Sequence, residues 1–132
     1  MGWEHKTNRQ HGGEVKLKVW MLKSKIHRAK ITGKNLDYEG SLTIDSEYMK
    51  KANMLPYERV EVYNISNGAR FSTYLIPGEP GKGEVVLNGA ASRLGEIGDQ
   101  VIIASYALMD EEEAKNHRPQ ILRFDENGKI IE

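Results

Sequence analysis

Four short stretches of this sequence carry groups that could do chemistry. Lys25 and His27 are two residues apart, so they share one face of a strand and form a basic pair. Gly40-Ser41 joins a residue without a Cβ to a hydroxyl nucleophile. Residues 70–74 present cationic, hydroxyl and phenolic groups. Residues 88–91 end a predicted strand in small residues whose backbone N–H groups could bind a carboxylate.

Each stretch, taken alone, has an ordinary structural explanation. A Gly-Ser pair is most often a turn, and Lys25 and His27 could be solvated strand residues. Arg70 could face solvent across a hairpin, and Tyr74 could belong to the core with its hydroxyl bonded to backbone. Only the combination of stretches favours a functional site.

The composition excludes several classes of protein. The 132 residues include 19 Lys plus Arg and 19 Asp plus Glu, so a neutral chain gives no electrostatic reason to expect nucleic acid or an anionic membrane as partner. The absence of cysteine excludes disulfides and thiolate chemistry. The four histidines lack paired metal-ligand spacing, so no metal is predicted. Without an apolar spanning run or a secretory leader, we predict a soluble cytoplasmic protein of one domain.

Short strands are the elements that must position these residues. Strands are predicted over residues 15–20, 26–32, 36–45, 60–65, 69–76, 84–87, 101–109, 121–124 and 129–131. Asn67-Gly68 predicts a tight hairpin with positive φ at both turn positions, and the apolar run 101–109 is typical of a strand buried on both faces. A short helix is predicted from Asp45 or Ser46 to Ala52, one helical turn over 89–94 and a charged helix or turn over 110–116. The pattern indicates a mainly β, closed or nearly closed barrel.

From Met21 onward the chain resembles the pyruvoyl-dependent aspartate decarboxylase family. The matching segments are residues 25–30, 37–45, 67–74, 86–91, 98–103, 117–120 and 124–127. They are long, ordered and specific. Residues 1–20 match nothing in the family, so they are predicted to be an N-terminal extension, flexible or partly strand, before a single domain over residues 21–132.

The resemblance implies a double-psi β-barrel with short helices, assembled as a homotetramer with active sites between neighbouring subunits. It implies a proenzyme that cuts itself between Gly40 and Ser41, giving a β-chain of residues 1–40 and an α-chain of residues 41–132. Ser41 would become a covalent pyruvoyl group, which replaces pyridoxal phosphate and forms a Schiff base with the substrate. The implied reaction converts L-aspartate to β-alanine and CO2 for pantothenate and coenzyme A biosynthesis. An accessory maturation protein is a further candidate partner.

The resemblance also implies residue roles. The Ser41 hydroxyl would attack the Gly40 carbonyl, and glycine at position 40 is expected to avoid crowding and to accept strained backbone angles. Thr73 would bind the Gly40 carbonyl and the substrate, and Tyr74 would be the proton donor. The implied substrate-binding residues are Lys25, Arg70, Thr73, Asn88, Gly89, Ala90 and Ala91. His27 and Tyr38 would support the cleavage site, and the sequence leaves open which substrate carboxylate Lys25 and Arg70 each bind.

Two alternatives compete with this hypothesis. A non-enzymatic β-barrel binding module would keep an intact chain and a basic face, against which the neutral charge argues. An autoprocessing hydrolase would keep a free N-terminal amine on Ser41 and use it as a nucleophile. The chemical state of residue 41 distinguishes the three.

Overall fold

The computed structural model describes residues 15–131, which fold as strands joined by tight turns. The strands are β1 (Lys18–Lys30), β2 (Gly33–Asn35), β3 (Ser41–Asp45), β4 (Arg59–Asn64), β5 (Arg70–Gly78), β6 (Val85–Asn88), β7 (Gln100–Asp110), β8 (Gln120–Phe124) and β9 (Ile130–Ile131). Two short α-helices, α1 (Ser46–Lys51) and α2 (Glu111–Lys115), and a 3-10 helix (Gly89–Leu94) connect them. Over this span, no helix has the length and apolar character needed to cross a membrane.

The strands form one mixed sheet in the order β2-β6-β3-β5-β4-β7-β1-β8-β9. Three neighbouring pairs are parallel: β1 with β8, β2 with β6 and β3 with β5. Most neighbours in the sheet are distant in sequence, so the chain crosses over repeatedly. One consequence matters for the site: β3 lies between β5 and β6, and β1 lies far from β3 along the sheet.

The register of β1, β7, β4 and β5 aligns side chains in rows that alternate between two faces. Ile26, Ile103 and Val62 form one row with Phe71, and these three aliphatic side chains are fully buried, so this row lies on the inner face. The rows on either side belong to what we term the outer face. They are Lys25, Ala104, Glu61 and Ser72, and then His27, Ile102, Tyr63 and Arg70.

The prediction of a mainly β chain with short helices is confirmed. The predicted helix near residue 46 is α1, the turn over 89–94 is the 3-10 helix, and the charged segment after 110 is α2. The double-psi barrel stays a prediction, because the backbone hydrogen bonds among residues 15–131 order the strands from β2 to β9 without joining those two. The first 14 residues of the predicted extension lie outside the described part, while Lys18 already belongs to β1.

Several details differ from the sequence prediction. The strand predicted over residues 36–45 begins only at Ser41, and the strands predicted over 15–20 and 26–32 belong to one strand, β1. The run in β7 is buried only in its first half, because Tyr106 and Leu108 are exposed on the far part of the strand. The loop from β4 to β5 is wider than a two-residue turn, with positive φ at Gly68 but not at Asn67. The buried Asn64 side chain explains this, since its carbonyl accepts hydrogen bonds from the backbone N–H groups of Ser66 and Asn67.

Asp45 joins β3 to α1 and to the loop before β6. Its buried carboxylate accepts the backbone N–H of Glu47 at 2.8 Å as a helix N-cap. It also accepts the N–H groups of Gly81 at 3.2 Å and Gly83 at 2.7 Å. Burial raises the pKa of Asp45, but these three donors outweigh burial and hold the pKa below its ordinary value of 3.8.

We expect Asp45→Asn to lower the free energy of unfolding near neutral pH, because the amide is a weaker acceptor and turns N–H groups toward backbone donors. The loss should be at least that of an ordinary N-cap, about 1–2 kcal/mol. A carboxylate whose folded pKa is lowered stabilises the fold above its unfolded pKa, and this contribution disappears as pH falls through the folded value. Urea unfolding should therefore show a large difference at about pH 7 that shrinks at about pH 3. Equal midpoints at neutral pH would contradict the role.

Candidate active site

Ser41, the first residue of β3, is buried and has a φ of 152°. A residue with a Cβ rarely occupies this region, so the backbone at Ser41 is strained. Gly40 is different from what the sequence suggests: its φ is not positive, and a Cβ there would meet no atom within 4 Å. In this structure the strain at the Gly40-Ser41 bond lies on the serine side.

Asn88 holds the Ser41 hydroxyl from the neighbouring strand. It ends β6, and its Cα is paired with that of Ser41 across the antiparallel ladder. Its Nδ2 donates to Ser41 Oγ at 2.9 Å and to Thr43 Oγ1 at 2.9 Å. One amide reaches both oxygens because Ser41 and Thr43, two residues apart, share a face of β3. Thr43 is a site residue that the sequence did not reveal, since a strand threonine gives no signal of this contact.

Gly89 begins the 3-10 helix and packs directly behind the segment before Ser41. Its φ is +61°, which favours glycine. A Cβ at this position would lie 2.8 Å from Gly40 Cα, 2.9 Å from Gly40 N and 2.9 Å from the Tyr38 carbonyl oxygen. These distances are shorter than van der Waals contact, so only glycine fits without moving residues 38–40. Gly89 therefore sets the position of the Gly40-Ser41 bond.

Strand β5 brings Thr73 and Tyr74 alongside the start of β3. The parallel ladder pairs Leu42 with Leu75. Counting back one residue on each strand places Tyr74 level with Ser41, and Thr73 is the residue before Tyr74 on β5. Since neighbours on a strand point to opposite faces, Thr73 faces inward with buried Leu75 and Tyr74 faces outward, where it is 39% exposed.

The predicted substrate-binding cations lie together with Tyr74 on the outer face. Lys25 and His27 do share a face, because they alternate with the buried Ser24 and Ile26. Arg70 stands in the same outer row as His27 and is exposed. Within residues 15–131, neither Lys25 nor Arg70 forms a salt bridge.

Lys25 is distant from Ser41 along the sheet of its own chain. Four steps between neighbouring strands separate β1 from β3, through β7, β4 and β5. At the usual spacing this path is about 19 Å, which is more than a lysine side chain can reach. Arg70 is closer, since its strand β5 is the direct neighbour of β3, but it lies four residues along that strand from Tyr74.

His27 is held as a neutral imidazole. Burial lowers its pKa first, and the charges of Lys25, Arg28 and Arg123 lower it further. Its Nδ1 is buried and has no hydrogen-bond partner among the described residues. The ring can therefore accept or donate a hydrogen bond without bringing a further positive charge next to Lys25.

The remaining predicted residues, Ala90, Ala91 and Tyr38, all lie close to Gly89. Ala90 and Ala91 follow Gly89 in the 3-10 helix, with Ala90 exposed and Ala91 buried. Tyr38 contributes its backbone carbonyl to the contact with Gly89, while its side chain is exposed.

Two tyrosines that the sequence did not single out adjoin Arg70. The Arg70 guanidinium carbon lies 3.9 Å from the centre of the Tyr63 ring. The hydroxyl oxygens of Tyr63 and Tyr106 are 2.9 Å apart and hydrogen-bonded. The alternation of residues 60–65 places Tyr63 on one face of a strand, but no sequence signal connects it to Tyr106, which is 43 residues away.

Comparison with known proteins gives a consistent result. The family model described as aspartate decarboxylase matches residues 17–131. The chain is 57% identical over 112 residues to an aspartate 1-decarboxylase of Thermoanaerobacter pseudethanolicus, covering 85% of this chain and 96% of that protein. It is 55% identical to the enzyme of the same name from a Sulfurihydrogenibium species, covering 84% of this chain and 83% of the relative. It is 54% identical to the aspartate 1-decarboxylase of Staphylococcus aureus strain JH9, covering 85% of this chain and 88% of that relative.

Proposed function

Because the chain belongs to the aspartate decarboxylase family, we propose that it converts L-aspartate to β-alanine and CO2 with a pyruvoyl group made from its own Ser41. The observation that carries the proposal is the state of Ser41: buried, strained, and with its hydroxyl bonded to Asn88. An ordinary turn serine would be exposed and relaxed. A binding module without enzymatic activity is not supported, because the relatives are enzymes over nearly their whole length.

Self-cleavage would begin at the Ser41 hydroxyl. Its oxygen attacks the Gly40 carbonyl carbon, the amide C–N bond breaks, and the peptide becomes an ester. Loss of the Ser41 Cα proton then expels the Gly40 carboxylate and leaves a dehydroalanine. Water hydrolyses this residue to the pyruvoyl ketone and releases ammonia. The products are a β-chain of residues 1–40 and an α-chain of residues 41–132.

The neighbours of Ser41 fit this first step. Strain at Ser41 is relieved when the amide is exchanged for a more flexible ester. The Asn88 amide occupies a lone pair of Ser41 Oγ and so fixes where that oxygen points. Thr73, on the strand beside β3, would donate to the Gly40 carbonyl oxygen as negative charge develops there. Gly89 keeps residues 38–40 where the attack requires them.

The mature site would act on aspartate through the outer-face residues. The ketone supplies the electron sink that decarboxylation at Cα requires. Arg70 and Lys25 bind the two substrate carboxylates, with arginine suited to a bidentate grip. Tyr74 donates its phenolic proton to Cα after CO2 leaves. His27 stays neutral beside Lys25 and orients the substrate without competing for its carboxylates. Asn88 and the backbone of Gly89, Ala90 and Ala91 close around the substrate.

The distance between Lys25 and Ser41 supports a shared site. One chain separates them by about 19 Å along the sheet, so the outer face of a second chain would bring Lys25 to Ser41. We therefore propose a homotetramer with active sites between subunits, formed by the domain of residues 21–132. β-Alanine produced there would supply pantothenate and coenzyme A biosynthesis, and an accessory maturation protein would act on the Gly40-Ser41 bond.

Intact-mass analysis of the purified protein tests the proposal. We expect two fragments, ending at Gly40 and beginning at residue 41, with the second lighter than a serine-ended fragment by one ammonia. Reduction with borohydride should convert the ketone to an alcohol and abolish activity. An α-chain with an ordinary N-terminal serine, open to Edman sequencing, would instead establish the autoprocessing hydrolase. Ser41→Ala is the control that should remain one chain.

A further inference from the structure

The side chain of Arg70 is held by an aromatic ring. Its guanidinium carbon lies 3.9 Å above the Tyr63 ring centre, a cation–π contact between neighbouring strands β4 and β5, where the two residues are paired. Within residues 15–131, no carboxylate forms a salt bridge with the Arg70 guanidinium, so its N–H donors are not paired with an acidic side chain.

Tyr63 is in turn fixed by Tyr106 on β7. Their hydroxyl oxygens are 2.9 Å apart. Burial raises the pKa of Tyr63 to about 12, with the Tyr106 hydrogen bond contributing next, so the Tyr63 hydroxyl stays protonated at physiological pH. Tyr106 and Ile102, which pairs with Tyr63, lie on the same face of β7 with Ala104 between them. The two tyrosines meet over this small residue, which explains why Ala104 is buried although it faces outward.

We propose that Tyr63, held in place by Tyr106, is a positioning residue that orients Arg70 for the side-chain or α-carboxylate of the substrate. This inference rests on the proposed role of Arg70 in binding aspartate. The physical reason is preorganisation. An unrestrained arginine side chain loses conformational entropy about several bonds when it binds a ligand, whereas a side chain already held against a fixed ring loses less entropy. A bidentate grip also depends on where the guanidinium lies, and its contact with the Tyr63 ring restricts that position.

Three substitutions separate the ring from the hydroxyl. Tyr63→Leu removes the cation–π contact, and we expect the KM for L-aspartate to rise about three- to tenfold with a smaller change in kcat. Tyr63→Phe and Tyr106→Phe each keep the Tyr63 ring and remove the same hydrogen bond. They should therefore raise KM by the same small factor, about twofold. If Tyr63→Phe keeps most of the affinity that Tyr63→Leu loses, the aromatic ring positions Arg70, and a general packing defect does not explain the loss.

A double-mutant cycle tests whether Tyr63 acts through Arg70. In an Arg70→Ala background, Tyr63→Leu should cause no further loss, because the group it positions is absent. Calorimetric binding of succinate, a dicarboxylate without the reacting amine, makes the cycle measurable even where turnover is too slow. Each variant is first shown to be fully cleaved, with the same α-chain mass and thermal midpoint as the parent.

The outcomes distinguish this inference from the function on which it rests. Suppose that Arg70→Ala alone weakens binding. An unchanged KM in Tyr63→Leu, or losses of affinity that add in the double mutant, would then overturn the positioning role of Tyr63. If Arg70→Ala binds succinate and aspartate as the parent does, the assignment of Arg70 to the substrate is wrong, and the positioning role is wrong with it. Failure of the parent to cleave or to decarboxylate would refute the proposed function itself.

Discussion

The Gly89→Ala precursor is expected to remain almost entirely uncleaved. An alanine Cβ at this position would stand 2.8 Å from Gly40 Cα and 2.9 Å from both Gly40 N and the Tyr38 carbonyl oxygen. These are backbone atoms, which cannot rotate away as a side chain can, so residues 38–40 must move. The φ of +61° adds strain of about 1 kcal/mol for any residue with a Cβ. A shift of even about 1 Å at the scissile carbonyl can cost about a hundredfold in rate.

Two other glycines provide matched controls for this result. Gly128 has a φ of +80° with nothing within 4 Å of an added Cβ, so Gly128→Ala adds the same kind of strain without a clash. An added Cβ at Gly95 would lie 2.8 Å from Ile31 Cδ1 and from Leu87 Cδ1, so Gly95→Ala crowds side-chain ends in the core and not the backbone of residues 38–40. Both variants should lose stability yet cleave normally on a denaturing gel. Cleavage of Gly89→Ala at the rate of these controls would show that its close contact with Gly40 is irrelevant to processing.

Thr73→Val should slow self-cleavage by about a hundred- to a thousandfold, the usual cost of losing one oxyanion donor. Valine has the shape of threonine and suits a strand, so β5 and its ladders should persist. The change removes only the hydroxyl that we propose as the donor to the Gly40 carbonyl oxygen. Freshly purified precursor, followed over time as one band converting to two, gives the rate directly.

Thr73→Ser is the matched control, because it keeps the hydroxyl and removes a methyl group. We expect it to cleave much closer to the parental rate than Thr73→Val does. A threonine that merely packs against the half-buried inner side of β5 would give the reverse order, since serine loses the methyl group and valine keeps its volume. Rapid processing of the valine variant would remove Thr73 from the cleavage step and leave Asn88 as the polar side chain hydrogen-bonded to Ser41.

Local sequence signals predicted much of the secondary structure. Alternation in residues 60–65 predicted β4, and Asp45 or Ser46 predicted the start of the short helix α1, for which Asp45 is the N-cap. These signals succeed because a strand or a cap depends on residues close in sequence. β2 was not predicted, since its three residues form a strand only by pairing with β6, about fifty positions later. The exposed half of β7 was misjudged because apolar composition cannot show whether another element covers a face.

The candidate site shows the same division. Gly40-Ser41 and residues 70–74 were found in the sequence because nucleophile, cation and phenol are visible as residue types. The Asn88 contact to Ser41 and the Tyr63–Tyr106 pair were not found, because each joins strands distant in the chain. The source of strain was also misplaced. Glycine at 40 suggested a special backbone, whereas the unusual φ belongs to Ser41.

The sequence by itself determined the family, the chemistry open to Ser41, and the segments that carry the other groups, because these depend on residue types in a given order. Only the tertiary structure decided which groups meet. Parallel pairing of β3 with β5 brings the strand that holds Thr73 and Tyr74 alongside the start of β3, and antiparallel pairing with β6 brings Asn88 to Ser41. The same sheet order puts four strand-to-strand steps between β1, which holds Lys25, and β3, a path of about 19 Å along the sheet. The physical reason is that strand pairing is non-local: its register follows from burying Ile26, Val62 and Ile103 together, which no stretch of sequence specifies alone.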